Sequence, residues 1–495
     1  MKAGHRSNRA MLMFFFLAHS SVASGEASAA DPDRTALSSP LVLEEVLASV
    51  DRTFPLLLAA RLELEQARGG LLEAKGSFDS VLSAAGSVSP TGYYDRYTAQ
   101  LGIEQPTRLW GSRLFAGYRI GNGDFPSYLG DDETNEDGEI RAGIEIPLLK
   151  DGFVDSNRTR LLASQIRQNG ATPAVALRRI EIMREASEAY WNWVSMGRNV
   201  DVERQLLATA EARRAQLEGR AEIGAIPRIQ VVDNERLVVD REIRLRGAMR
   251  DALEASLVLS LYLRDDAGRT VVPEPSRLPQ DFPSEALLDD DAVVADIERA
   301  SDQHPILQVF RFRRQEIEAR LALERNTLLP DLRLGLEASQ DVGKSAAGID
   351  SVGSFSNNPK DDTEVKAGLR FAVPVLQRGA RGRVVRARAD LIRLDYEAGY
   401  ARDQIETDIR RAMASLEAAY DQSLLARKNF KLSTQLQKGE ERKLSLGLSN
   451  LIDVNIRELQ TADAARALVF AQAAYFRAVA RYDAAVGTPL NQEPP

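Results

Sequence analysis

The chain has no cysteine, only three histidines, no surplus of basic charge and no run of eighteen or more apolar residues, and each absence removes a class of function. Without cysteine the chain carries neither a disulfide nor a lipid on an N-terminal cysteine. His5 and His19 fall in the first twenty residues, so His304 is the one imidazole left for the body of the protein, and zinc or acid/base chemistry built on histidine has no residues to use. The net charge of −8 offers no basic face to a nucleic acid. The missing apolar runs exclude membrane-spanning helices, so any part of the chain that enters a bilayer must do so as strands. The abundant acids are dispersed along helical faces, as solvated surfaces are, and no catalytic residue, cofactor or metal site is expected.

What is present begins with a leader. Lys2, His5, Arg6 and Arg9 precede the apolar run Met11 to Ala18, and small residues follow up to Ala30. This is the layout of a secretory signal peptide, with cleavage expected after Ala30, the alternatives being after Ser24 or Ala29. At 44% hydrophobic and 27% charged, the remainder has the composition of a chain that folds.

The remainder reads as one plan used twice. Phe54-Pro55-Leu56 lies in a helical stretch that runs to Lys75, the second copy reads His304-Pro305-Ile306 and runs to Arg325, and each passes into strands. Further on, Ala189-Tyr190 corresponds to Ala419-Tyr420, and Ile223-Gly224-Ala225-Ile226 to Leu446-Gly447-Leu448-Ser449. The spacing between these two landmarks is one heptad shorter in the second copy, which keeps a coiled-coil stripe in phase while shortening the arm, so the two tips are expected at different levels. The expected boundaries are a signal peptide over 1–30, a first repeat over 31–263, a connector rich in Pro, Asp and Gly over 264–291, a second repeat over 292–487 and a tail over 488–495.

Six strands are expected, starting near Val81, Tyr97, Arg113, Glu139, Asp331 and Thr363. Residues 363–373 alternate strictly: Val365, Ala367, Leu369, Phe371 and Val373 on one face, Glu364, Lys366, Gly368 and Arg370 on the other. The same split recurs from Asp331 to Ala338 and from Glu139 to Ile146. A charged face opposite an uninterrupted apolar one suits a wall between lipid and a water-filled lumen. Tyr93, Tyr94, Tyr97, Tyr118 and Tyr128 stand near strand ends, where an interfacial aromatic belt belongs. Six strands are fewer than the smallest bacterial barrels use, so a membrane barrel requires several copies of the chain.

Long helices are expected over Asn157–Arg220 and Val384–Leu444, each about 90 to 100 Å long and therefore projecting into an aqueous compartment. Glycine turns at Gly224 and Gly447 reverse the chain into helices over Pro227–Leu263 and Leu451–Val486. Ser449 or Asn450 serves as N-cap for the latter, and Asp453 suits its first turn through the helix dipole.

With the two strand-to-helix junctions Ile146-Pro147-Leu148-Leu149-Lys150-Asp151-Gly152 and Val373-Pro374-Val375-Leu376-Gln377-Arg378-Gly379, this order of elements resembles the TolC family of outer-membrane efflux proteins over nearly the whole chain after the leader. The resemblance implies an α+β membrane protein: a homotrimer with a β-barrel in the outer membrane, continued by a long α-helical coiled-coil barrel in the periplasm. It implies a passive exit duct for substrates delivered by an inner-membrane pump and a periplasmic adaptor. Family adaptors meet the tips, here Ile223, Gly224, Ala225, Ile226, Leu446, Gly447, Leu448 and Ser449. Two aspartates six and nine residues after the second tip glycine form entrance rings in the family archetype; these positions are Asp453 and Ile456 here. The archetype's arginine two residues after that glycine is Ser449. The archetype also has four strands per chain and twelve per trimer, whereas Val81 to Pro147 holds two hairpins; either the barrel is larger or residues Tyr97 to Ile120 lie outside it. The rival readings are a periplasmic coiled-coil adaptor or scaffold without a pore and, further off, an exported enzyme.

Overall fold

The computed structural model describes residues 39–125, 133–287, 289–344 and 362–487. The leader and its cleavage site after Ala30, the belt residue Tyr128 and the tail over 488–495 lie outside the described residues. Among the described residues eight α-helices and six strands follow one another as α1 (Leu43–Thr53), α2 (Pro55–Gly76), β1 (Val81–Ser89), β2 (Arg96–Pro106), β3 (Arg113–Gly123), β4 (Glu139–Pro147), α3 (Ser156–Glu222), α4 (Arg228–Leu259), α5 (Asp290–Gln303), α6 (Pro305–Asn326), β5 (Asp331–Asp341), β6 (Glu364–Ala372), α7 (Arg378–Ser445) and α8 (Leu451–Val486). Pro55 and Pro305 stand at the first positions of α2 and α6, where the missing N–H costs nothing. Each separates its helix from a shorter one, α1 or α5. The expected return helix over Pro227–Leu263 ends four residues early, at Leu259, because the chain tightens into turns at Ser260 to Tyr262.

The expected difference in arm length is not observed. α3 has 67 residues and α7 has 68, so each is roughly 100 Å long. The heptad missing between Tyr420 and Gly447 is made up at the other end. Gln377, at φ +48°, turns the chain straight from β6 into α7 at Arg378, six residues before the expected start at Val384.

The helices pack side by side as a layer four helices wide. Towards the strands the neighbours run α2, α3, α6, α7, and towards the tips α4, α3, α8, α7. One hydrophobic cluster joins α1, the Ile182–Val194 stretch of α3 and the end of α4; a second joins α5 and α6 to the Ala401–Ala419 stretch of α7 and the end of α8. The segment after α4 is more than a surface connector. It crosses the layer near mid-height: Arg277 pairs with Glu45 at 2.6 Å, Phe282 stacks on Trp191 and Phe476, Ala286 donates its N–H to the Tyr475 hydroxyl at 3.0 Å, and Glu285 accepts from Ser423 and Arg427.

All six strands form one sheet in sequence order, antiparallel throughout. Its open edges are β1 and β6.

Candidate functional site: a two-faced sheet and two hairpin tips

Side chains alternate between the faces of a strand, so the pairing register decides whether six amphipathic strands make one amphipathic wall. They do. Leu332, Leu334, Leu336 and Ala338 of β5 lie opposite Phe371, Leu369, Ala367 and Val365 of β6, while Ile146, Ile144 and Ala142 of β4 lie opposite Leu334, Leu336 and Ala338. Continuing outward, Ile144, Ala142 and Ile140 meet Leu114, Ala116 and Tyr118 of β3; Ala116 and Tyr118 meet Ile103 and Leu101 of β2; and Ile103 and Leu101 meet Leu82 and Ala84 of β1. The apolar face is therefore continuous from one edge to the other.

Nothing covers it. None of the hydrophobic clusters contains a strand residue among those described, and Leu82, Val88, Val365 and Leu369 are each at least 70% exposed. A soluble sheet would bury this face against a core. Tyr93, Tyr94 and Tyr97 are exposed at the end of the sheet remote from the helices, whereas Tyr118, also exposed, stands in the middle of β3 opposite Leu101 and not at a strand end.

The opposite face carries a ladder of ions across four strands at the helix-proximal end. Arg113 bonds Glu104 and Glu145 at 3.1 Å each, and Arg333 bonds Glu145 and Asp331 at 2.8 Å each and Asp151 at 3.2 Å. Further from the helices Arg119 pairs with Glu139. The extra hairpin shares in this ladder. Its turn is docked as well, with Trp110 packed 4.4 Å from Phe153 at the junction into α3.

The tips are short turns built on glycine. Gly224 and Gly447 adopt φ +71° and +73°, which side chains other than glycine rarely occupy, and nothing approaches within 4 Å of where a Cβ would sit. Ile223, Gly224, Ala225, Leu446, Gly447 and Leu448 are exposed, and Ile226 and Ser449 are half-buried. Of the two expected caps, Asn450 is the one used: its side chain accepts from the Asp453 N–H at 3.0 Å, and its amide donates to the Asp453 carboxylate at 3.0 Å. Ser449 instead donates to Glu440 at 2.6 Å, holding that carboxyl below its ordinary range. Asp453 is thus exposed in the first turn of α8 and engaged in capping, with Ile456 also exposed three residues on.

A buried polar seam, which the sequence reading missed, joins the hairpins behind the tips. Arg213 of α3 forks onto Glu458 of α8 and also reaches Asn455. Arg241 of α4, 2% exposed, comes within 4.0 Å of Glu458, while its Nε and Nη2 make no hydrogen bond among the described residues. Burial pushes the Arg241 guanidinium below its ordinary value and Glu458 pulls it back. Further up, Arg466 pairs with Glu203, and Arg481 bonds Glu188 at 2.7 Å. Periodicity marks such positions only as interruptions of an apolar stripe, which is why they pass unnoticed in a sequence.

No protein-family model matches the chain, and no curated protein matches it in sequence. Solved structures do match. The outer membrane protein VceC from Vibrio cholerae aligns over 90% of this chain and 96% of its own at 15% identity, with a TM-score of 0.61. The Campylobacter jejuni CmeC outer membrane channel aligns over 90% and 86% at 13% identity and TM-score 0.60, and the open state of the Neisseria gonorrhoeae MtrE outer membrane channel over 90% and 89% at 16% and 0.61. At these identities it is the fold that is shared: the chain has the architecture of outer-membrane channel proteins along nearly its whole described length.

Proposed function

We propose that the chain is the outer-membrane exit duct of a tripartite efflux or type I secretion system. Three copies, each built from two tandem repeats, close a β-barrel in the outer membrane and continue it as a helical barrel through the periplasm. Substrates handed over by an inner-membrane pump and its periplasmic adaptor pass through without chemistry. The observation that carries this reading is the uncovered apolar face running across six strands between two unpaired edges. In water such a face is a large cost, and in hydrocarbon it is the required surface. The charged face, with its ladder from Glu104 to Arg333, then lines the lumen. The likeness to solved outer-membrane channels supports the same assignment.

The exposed tips, Ile223 to Ile226 and Leu446 to Ser449, are the proposed adaptor contacts, and a threefold ring of Asp453 the proposed entrance filter, since like charges crowded in a narrow mouth attract cations. Purified protein in planar bilayers is expected to give defined conductance steps. A protein that leaves the cell envelope in buffer alone and gives no steps at any voltage overturns the proposal in favour of a soluble coiled-coil scaffold.

A further inference from the structure

The second hairpin of the first half, β2–β3, sets this chain apart from a stave of four strands, and the structure says where it belongs. Its register places Tyr97, Ala99, Leu101 and Ile103 of β2 and Leu114, Ala116 and Tyr118 of β3 on the same apolar face as β4, β5 and β6. Its opposite face joins the ion ladder through Glu104 and Arg113. It is hydrogen-bonded on both sides, to β1 over nine residue pairs and to β4 over seven.

We propose that β2–β3 is part of the membrane wall and that the trimer closes an eighteen-stranded barrel, each β6 pairing with the β1 of the next copy. This rests on the trimeric channel reading above. Three observations carry it further. An even number of strands in an antiparallel meander leaves β1 and β6 running in opposite directions, so every seam between copies is itself antiparallel. The two edges match in length, nine residues each, and both are exposed along nearly all of it. Their chemistry is also compatible: β1 carries no charge to oppose Glu364, Lys366 and Arg370 of β6.

The third observation is width. Four helices packed about 9 to 10 Å apart span about 38 Å of arc per copy. Six strands about 4.8 Å apart and tilted about 40° also span about 38 Å, whereas four would span about 25 Å. The wall thus meets the helical layer at equal circumference, and the duct continues with no narrowing at the junction. Barrel diameter grows roughly linearly with strand number, so eighteen strands give about one and a half times the diameter of twelve and about twice the open section.

Nitroxide labels at Leu101→Cys and Ala116→Cys on the extra hairpin, compared with Leu369→Cys on β6, test this in proteoliposomes. All three point away from the charged face, so labelling leaves the ladder intact. The expected result is equally high accessibility to oxygen and exclusion of a water-soluble nickel complex at all three, with eighteen strands in an image of the threefold particle. A lipid-facing Leu369 with water-facing Leu101 and Ala116, or a ring of twelve strands, overturns the larger barrel and leaves the channel standing. Nickel access at Leu369 as well overturns both.

Discussion

Arg213 and Glu458 meet at equal distances from their tips: the arginine stands eleven residues before Gly224 and the glutamate eleven after Gly447. Higher up, Glu203 and Arg466 pair at twenty-one and nineteen residues from the same glycines, and Glu188 and Arg481 at thirty-six and thirty-four. Neighbouring helices that rise and descend in step put both turns at one level to within about one helical turn. In the proposed duct, a partner approaching along the axis meets the two tips together, contrary to the staggered arrangement expected from the Tyr190 and Tyr420 landmarks.

The buried seam predicts opposite outcomes for two substitutions. Glu458→Leu strands Arg213 and Arg241 in the interior and is expected to cost about 3 to 5 kcal/mol. Arg241→Met removes a guanidinium whose Nε and Nη2 make no hydrogen bond among the described residues, leaves Glu458 held by Arg213, and is expected to be neutral or stabilising. Denaturant titrations followed by helical ellipticity check both, and equal losses for the pair contradict this account.

The tip glycines are expected to matter through backbone alone. Gly447→Ala meets no neighbouring atom, so its effect is the left-handed conformation forced on an L residue, about 1 kcal/mol. Gly447→Asn is expected to lose less, because asparagine tolerates that region. The same melting experiment ranks them.

Capping and the proposed filtering are separable at Asp453. Asn450→Ala removes the cap and is expected to lower stability by about 1 kcal/mol with block by divalent or trivalent cations unchanged. Asp453→Asn keeps the Asn450 cap but deletes the charge, and is expected to weaken that block, read from single-channel currents. Unchanged block in this variant removes Asp453 from the filter.

Asp483 predicts a pH dependence. Burial and the neighbouring Asp296, which itself bonds Tyr482 at 2.8 Å and Arg299 at 2.6 Å, raise its carboxyl to about 6. A raised acid binds its proton more tightly when folded, so its contribution to stability is greatest below pH 4 and declines as pH rises through 6, by an amount on the order of 2 kcal/mol. Asp483→Asn is expected to flatten the melting temperature between pH 4.5 and 7. A slope as steep as in the parent protein assigns the dependence elsewhere.

Strand starts were legible because period-two alternation is strict where both faces are specified: all six begin within one residue of expectation, and four of them, at Val81, Arg113, Glu139 and Asp331, begin on it. The long helices and both tips were legible from heptads and glycine. The break between α1 and α2 was hidden because Phe54-Pro55 fits a continuous apolar pattern, and only the proline marks it. The seam was illegible for another reason. Arg213, Glu458 and Arg241 lie on three helices far apart in the chain, and helical period places each on a face without saying which face it meets.

The segment from Arg277 to Ala286, clasped to α1, α3, α7 and α8 at one height, has a mechanical meaning. From Trp191, where it grips α3, to Gly224 are thirty-three residues, roughly 50 Å of stiff rod. A strap at that height acts as a fulcrum. In the proposed duct, bending a hairpin by about 5° below that clasp displaces its far end by about 4 Å while the helices above the clasp and the sheet stay still, so an aperture at the tips can widen with no rearrangement in the bilayer.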